Sequence, residues 1–266
     1  MKGEDAVGAS WTSVAERLIE ARRTGVACSA APLADAVTNE AQAYAVQDAV
    51  AQALGDATRD RARHWKGGAP DIHSSPGFAA LAERGVKASG HAFDAREFHW
   101  IGLEAELAFR VGRDVSAGEA MRLEPDTLGE VFDAMCVSVE LCDSRWSEGL
   151  RAPPLLRMAD AQSHAALVLG PWQPLAARDW ANQPCRVTID RGPVSATKQF
   201  VGTHPCGDPR WVLPHWLRHV SAVAGAVSAG SVVTTGSWCG LLMLQAGDAV
   251  EAEFVGIGSA LLSITR

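Results

Sequence analysis

The feature that most constrains this fold is the two-residue alternation in GLEAELAFRVGRD, residues 102–114. In an extended chain Leu103, Ala105, Leu107, Phe109 and Val111 fall on one side, and Glu104, Glu106, Ala108 and Arg110 on the other. An ordinary half-buried strand turns one side to a core and the other to water. On that view Glu104 and Glu106 are solvated charges. Their small apolar neighbours support a second reading. Residues i and i+2 on one strand face stand roughly 6.5–7 Å apart, so two carboxylates there can reach one cation. Hard divalent ions such as Mg2+ take oxygen ligands and keep several waters. A third carboxylate, Glu140, lies in a second alternating segment, CVSVELCDSRW. There Val137, Val139 and Leu141 oppose Ser138, Glu140 and Cys142. E-x-E on a strand is a weak motif, and spacing alone leaves both readings open.

Around these strands the chain divides into a helical front, residues 1–62, and a β-rich body, residues 63–266, within one continuous structure. SVAERLIEARRTG reads as a helix with a capping box at Ser13 and Glu16 and a stop near Gly25. NEAQAYAVQDAVAQALG is a second helix. Its apolar stripe is Ala43, Val46, Val50 and Leu54, and Gly55 is its stop. Residues 62–101 are rich in glycine and proline and predict loops with short strands at most. PDTLGEVFDAM predicts a short helix with Asp126 near its start, and RAPPLLRM a loop. SHAALVLGPW, CRVTIDRGPV and SVVTTGSW predict strands, and WVLPHWLRHVSAVAGAVSAG a helix ending at Gly230. DAVEAEFVGIGSALLSI predicts a closing hairpin turning at Gly256 to Gly258.

Composition excludes several classes of function. At 47% hydrophobic over 266 residues, the chain has matter for a substantial core, and a mean hydropathy of zero fits a soluble globular protein. A net charge of −7 argues against nucleic acid, which requires a basic face. No apolar run approaches the ~20 residues that cross a bilayer. The N-terminus has no apolar stretch of the kind secretory signals carry. Six cysteines without a CxxC pair read as reduced thiols in a cytoplasmic protein.

Other residues carry candidate chemistry. In HWKGGAP, residues 64–70, Lys66 precedes Gly67 and Gly68, which allow close backbone approach to a ligand. A lysine there could hold a substrate carboxylate, or it could be a solvated turn residue. Asp143 and Arg145 beside Glu140 read either as ligands or as an ion pair at a strand end. Asp160 and Ser163 in MADAQSHAALVLG read as loop caps or site residues. Ser163 and His164 are not a nucleophile–base pair, because adjacent side chains on a strand diverge. The histidines show no HExxH spacing, and most of the nine tryptophans read as core or interface residues.

The order of these pieces is more specific than any one of them. WKGGAP, EAELAFRVG, VELCDSRW, DAQSHAALVLG, GSVVTTGSWCG and GDAVEAEFVGIG occur in sequence. This resembles the 2-keto-4-pentenoate hydratase and 4-oxalocrotonate decarboxylase group of the fumarylacetoacetate hydrolase superfamily, from about Lys66 to the C-terminus. The two opening helices fit that group in position and length. The resemblance implies an α+β fold, a mixed β-roll or barrel with an N-terminal helical segment. It implies one Mg2+ or Mn2+ held by Glu104, Glu106 and Glu140. Lys66 matches the group's active-site lysine with Gly67 beside it, Asp160 an acidic catalytic residue, and Ser163, more loosely, a substrate-binding position. Turned inward without a cation, Glu104 and Glu106 would bury like charges at severe cost. The activity implied is a metal-dependent hydratase (hydro-lyase) of aromatic catabolism that adds water to a small unsaturated 2-oxo or 2-hydroxy acid such as 2-hydroxypenta-2,4-dienoate. The alternatives are a 2-oxo acid decarboxylase of 4-oxalocrotonate type, an acylpyruvate-type C–C hydrolase, or a non-catalytic relative. The hydrolases often use a His-x-x-Glu pair, which this sequence lacks. A homo-oligomer with a small-molecule substrate is expected, without nucleic acid or membrane partners.

Overall fold

A computed structural model describes residues 10–266. The first helix, Trp11–Thr24, buries Val14, Ala15, Leu18 and Ala21, packs chiefly on the helix that follows it, and stops at Gly25, where φ is +67°. It begins at Ser10, so Ser13 lies inside it and the predicted capping box at Ser13 and Glu16 is not its start. The second helix, Glu40–Leu54, is capped by the Asn39 side chain, which accepts from the Gln42 N–H. It ends at Gly55, and Ala43, Val46 and Val50 are buried as their spacing predicts. Both helices share one hydrophobic core with the β-rich body.

The body is built on a mixed sheet. The Glu104 strand, Ile101–Val111, runs antiparallel to the Glu140 strand, Phe132–Cys142, in register from Gly102–Cys142 to Arg110–Ala134. On its other edge the Glu104 strand pairs with Val232–Thr234 and, further along, with Leu242–Leu244. The Lys66 strand, His64–Gly68, lies parallel to Val232–Thr234, and His164–Leu169 pairs with the far side of the Glu140 strand. A second sheet has the order Val194–Val201, Pro184–Arg191, Asp248–Phe254, Gly258–Thr265 and His91–Asp94. The closing hairpin lies within it as predicted.

The central strands are covered on both faces. Ala105 and Glu106, Val139 and Glu140 are all buried, so of the two readings of the glutamate face the fully solvated one does not hold around Glu106 and Glu140. Three helix expectations change. Pro153-Pro154 opens a short helix, Pro154–Ala159, where a loop was expected, because proline suits a first helical turn. The helix expected to reach Gly230 is Val212–Ala224. Gly225, at φ +81°, terminates it, and Ala226–Val227 then pairs with Val115–Ser116. The helix expected in PDTLGEVFDAM is one 3-10 turn, Leu128–Glu130, because from Phe132 the backbone joins the Glu104 strand. The strand Val194–Val201 escapes prediction because it is nearly all exposed and carries little apolar alternation.

Candidate metal centre

The antiparallel register sets Glu104 directly opposite Glu140, and Glu106 opposite Ser138, all on one face. Side chains paired in this way have Cβ atoms roughly 4.5–5.5 Å apart. One carboxylate oxygen from each of Glu104 and Glu140 and the Cys142 sulfur lie within 4.8 Å of one another. The Cys142 thiol is 3.7 Å from Glu104 Oε2. Glu106 stands one rung away and accepts from the Thr234 hydroxyl, which is 2.7 Å from Ser138 Oγ. Glu104 and Glu140 therefore converge with Cys142, and Glu106 lies beside them on the same face rather than within the group. Cys142 is a member that the motif reading passed over, although its place two residues beyond Glu140 puts it on the same face.

Lys66 reaches this cluster from its own strand. Its Nζ donates to Glu140 Oε1 at 2.6 Å, and His164 Nδ1 lies 2.9 Å from the same oxygen. Glu140 Oε2 is buried and has no hydrogen-bond partner. Both neighbours thus hold the same oxygen and leave the other without a partner. Burial alone would raise the Glu140 pKa, but Lys66 and His164 outweigh it and hold the carboxylate ionised. Burial likewise opposes the Lys66 charge, and Glu140 reverses the balance, so its pKa moves upward. Glu106 has no such neighbour. Burial first, then the charges of Glu140 and Glu104, push it up to about 8. Burial and Glu140 raise Glu104 as well.

These residues fit a divalent cation. Three buried or half-buried carboxylates face one lysine, which leaves an excess of negative charge in a low-dielectric place. A buried carboxylate oxygen without a partner is costly unless something meets it. Oxygen donors of this kind suit a hard ion such as Mg2+ or Mn2+.

A cavity of about 610 Å³ opens over the cluster, lined by Lys66, Gly67, Glu104, Glu106, Cys142, Arg157, Gln162 and Ser163 among others. Gly67 is required by packing, since a Cβ there would stand 2.8 Å from the Phe78 ring. Ser163 ends a run of three non-glycine residues with positive φ: Ala161 (50°), Gln162 (54°) and Ser163 (63°). Such backbone is strained and concentrates at functional sites. Here it turns the Gln162 carbonyl to within 3.4 Å of Lys66 Nζ and brings Gln162 and Ser163 to the cavity wall.

Asp160 does not join them. It is buried beneath the turn, with Oδ1 accepting from Arg145 Nε at 2.6 Å and Oδ2 from the Arg145 N–H at 3.0 Å. Arg22 adds a contact at 3.3 Å. Both oxygens are committed and the residue is not among those that line the cavity, so the structure sets it in an ion pair beneath the turn and apart from the carboxylate cluster. Nor do Asp143 and Arg145 pair with each other. Asp143 binds His99 Nδ1 and the Trp100 N–H, and Arg145 binds Asp160. Sequence could not show this, because the partners arrive from distant segments.

Fold and site together define a class: an α+β chain whose curled mixed sheet carries clustered carboxylates at the floor of a cavity. Residues 44–264 match the fumarylacetoacetate (FAA) hydrolase C-terminal family, and the chain belongs to it. Among solved structures it is similar to 4-oxalocrotonate decarboxylase from Pseudomonas putida G7. The form complexed with calcium and acetate aligns at 18% identity over 96% of each chain, with a TM-score of 0.75. The form complexed with magnesium and adipate aligns at 17% identity over 96% of this chain and 97% of that one, with a TM-score of 0.76. A 2-hydroxyhepta-2,4-diene-1,7-dioate isomerase from Mycobacterium marinum aligns at 17% identity over 77% of this chain and 75% of that one, with a TM-score of 0.54. No described helix is long and apolar enough to cross a membrane.

Proposed function

We propose that this chain is a Mg2+- or Mn2+-dependent lyase acting on a small unsaturated 2-oxo or 2-hydroxy acid, with water addition to 2-hydroxypenta-2,4-dienoate as the leading reaction. The observation that carries it is the convergence of Glu104 and Glu140 beside Lys66, with Glu106 one rung away on the same face and Glu140 Oε2 buried and unmet. Glu104, Glu106 and Glu140 would hold the ion, which supplies positive charge for the substrate's carboxylate and 2-oxygen. Lys66, kept protonated by Glu140, holds a fixed charge at the cavity floor where an enolate oxygen gains negative charge. With Asp160 sequestered, Lys66 is also the group best placed to hold a proton near the substrate. Gln162 and Ser163 bind and orient from the wall.

Decarboxylation of a 4-oxalocrotonate-type acid is the second reading. It is favoured by the near-complete overlap with the Pseudomonas decarboxylase fold. Both reactions pass through the same enolate. Product mass separates them: incubation with Mg2+ and 2-hydroxypenta-2,4-dienoate yields a water adduct if the hydratase reading holds. No adduct, with carbon dioxide lost from 4-oxalocrotonate, replaces it with the decarboxylase. A cytoplasmic homo-oligomer belongs to the same proposal. Six free cysteines support the reducing compartment, and sedimentation would test the assembly.

A further inference from the structure

The sheet face that carries Glu104 and Glu140 differs at its two ends. At one end Glu106 is met by a hydroxyl: Thr234 donates to it, and Thr234 Oγ1 lies 2.7 Å from Ser138 Oγ. At the other end the register sets Cys142 opposite Gly102, which brings no side chain. None could fit there, since a Cβ on Gly102 would stand 2.6 Å from Leu241 Cδ1 and 3.3 Å from Cys142 Cβ. The thiol of Cys142 is directed at Glu104 Oε2, 3.7 Å away. Cys142 is buried, yet it lines the cavity over the carboxylates, and of the six cysteines it alone does so.

The Cys142 sulfur and one carboxylate oxygen from each of Glu104 and Glu140 stand within 4.8 Å of one another. Donor atoms on one ion, at roughly 2.0–2.5 Å each, are at most about 5 Å apart. Glu106 falls outside that group. Spacing therefore ranks Cys142 with Glu104 and Glu140 as a donor. Glu140 Oε2, buried and without a partner, independently marks the same place as one that something must meet. Chemistry sets what a sulfur adds. Mg2+ binds through oxygens and gains little from a thiolate, whereas Co2+ and Zn2+ accept sulfur readily. Carboxylates alone would leave the site with only the general order of divalent affinities.

We propose that Cys142 is a sulfur ligand to the ion, beside Glu104 and Glu140, and that it sets the site's preference among divalent cations. The inference deepens the metal-site reading above and rests on it. On ligation the thiol passes its proton to solvent and the sulfur binds as thiolate. Co2+ alone is the probe, because a Co2+–thiolate bond absorbs in the near ultraviolet and oxygen ligands do not produce that band. One equivalent of Co2+ added to the metal-free full chain, without substrate, gives the band. Cys142→Ser keeps a donor beside Glu104 and the five other cysteines, and loses the band. By calorimetry the variant binds Co2+ at least about tenfold more weakly and Mg2+ within about threefold of the parent. Co2+ bound by the unsubstituted protein without the band overturns the proposal and leaves the metal site standing, and that outcome does not depend on any variant folding. A band that persists in Cys142→Ser also overturns it, as does an equal loss of both ions with far-ultraviolet circular dichroism unchanged. If the unsubstituted protein binds neither ion, the metal site itself is refuted and the role of Cys142 falls with it.

Discussion

Glu106→Gln in the metal-free protein tests the electrostatics of the site most directly. Glu106 is buried, and its carboxyl is raised from 4.5 to about 8 by burial and by Glu140 and Glu104. Below pH 4.5 it is protonated in both folded and unfolded chains, and it costs no stability. As pH rises, the unfolded chain releases this proton while the folded chain retains it, so folding loses about 1.4 kcal/mol per pH unit. The loss reaches about 3 kcal/mol at pH 7 and levels near about 5 kcal/mol above pH 8, the order of magnitude that the raised carboxyl sets. Glutamine keeps the shape and does not titrate. Urea unfolding of both proteins in chelator, at steps from pH 5 to 8, should show the variant gaining on the parent by roughly 1.4 kcal/mol per pH unit. The slope carries the test, since the amide adds an offset that pH does not change. Saturating Mg2+ should then stabilise the parent, increasingly at higher pH, and the variant far less. A difference that stays flat with pH would refute the reasoning, because Glu106 would then not be held protonated in the folded chain.

Other substitutions separate the roles. Glu104→Ala should abolish metal-dependent turnover and leave far-ultraviolet circular dichroism unchanged, since Glu104 is half-buried and its loss removes repulsion; full turnover would exclude it as a ligand. Lys66→Met should destabilise the metal-free protein by about 3–5 kcal/mol, as breaking one side of a buried pair does, with part of that recovered on adding Mg2+. Asp160→Asn should cost about 3 kcal/mol in urea unfolding, because Arg145 loses its charged partner, while Mg2+ affinity by calorimetry stays within a few-fold; a selective loss of metal binding would return Asp160 to the site. Ala161→Gly should relieve left-handed backbone strain and raise stability by about 1 kcal/mol; a loss of that size would show that the turn is not strained.

What the sequence disclosed followed from local periodicity. The alternation of residues 102–111 and 137–142 gave the two central strands, and the order of motifs gave the family. The cross-strand register that sets Glu104 against Glu140 was not legible, because register depends on pairing across the sheet rather than on either strand alone. Asp160 shows the limit of a motif. By resemblance it matches an acidic position of the family, yet its side chain is engaged by Arg145 and Arg22, which no local pattern around Asp160 announces. Helix ends failed where a cap was chosen on composition: Ser13 suits a capping box, but Ser10 lies where the chain turns into the helix.

The register between the two glutamate strands also bears on how the chain reaches its native state. A one-residue slip in an antiparallel pair turns every side chain of one strand to the opposite face. Slipped by one, Val139 or Leu141 would stand where Glu140 belongs, and Glu140 would be driven into hydrocarbon with no lysine to meet it. Correct alignment alone creates a place for a cation. Under the proposed metal site, ion binding would favour one alignment over its nearest competitors, so that the metal would act as a proofreader of strand pairing.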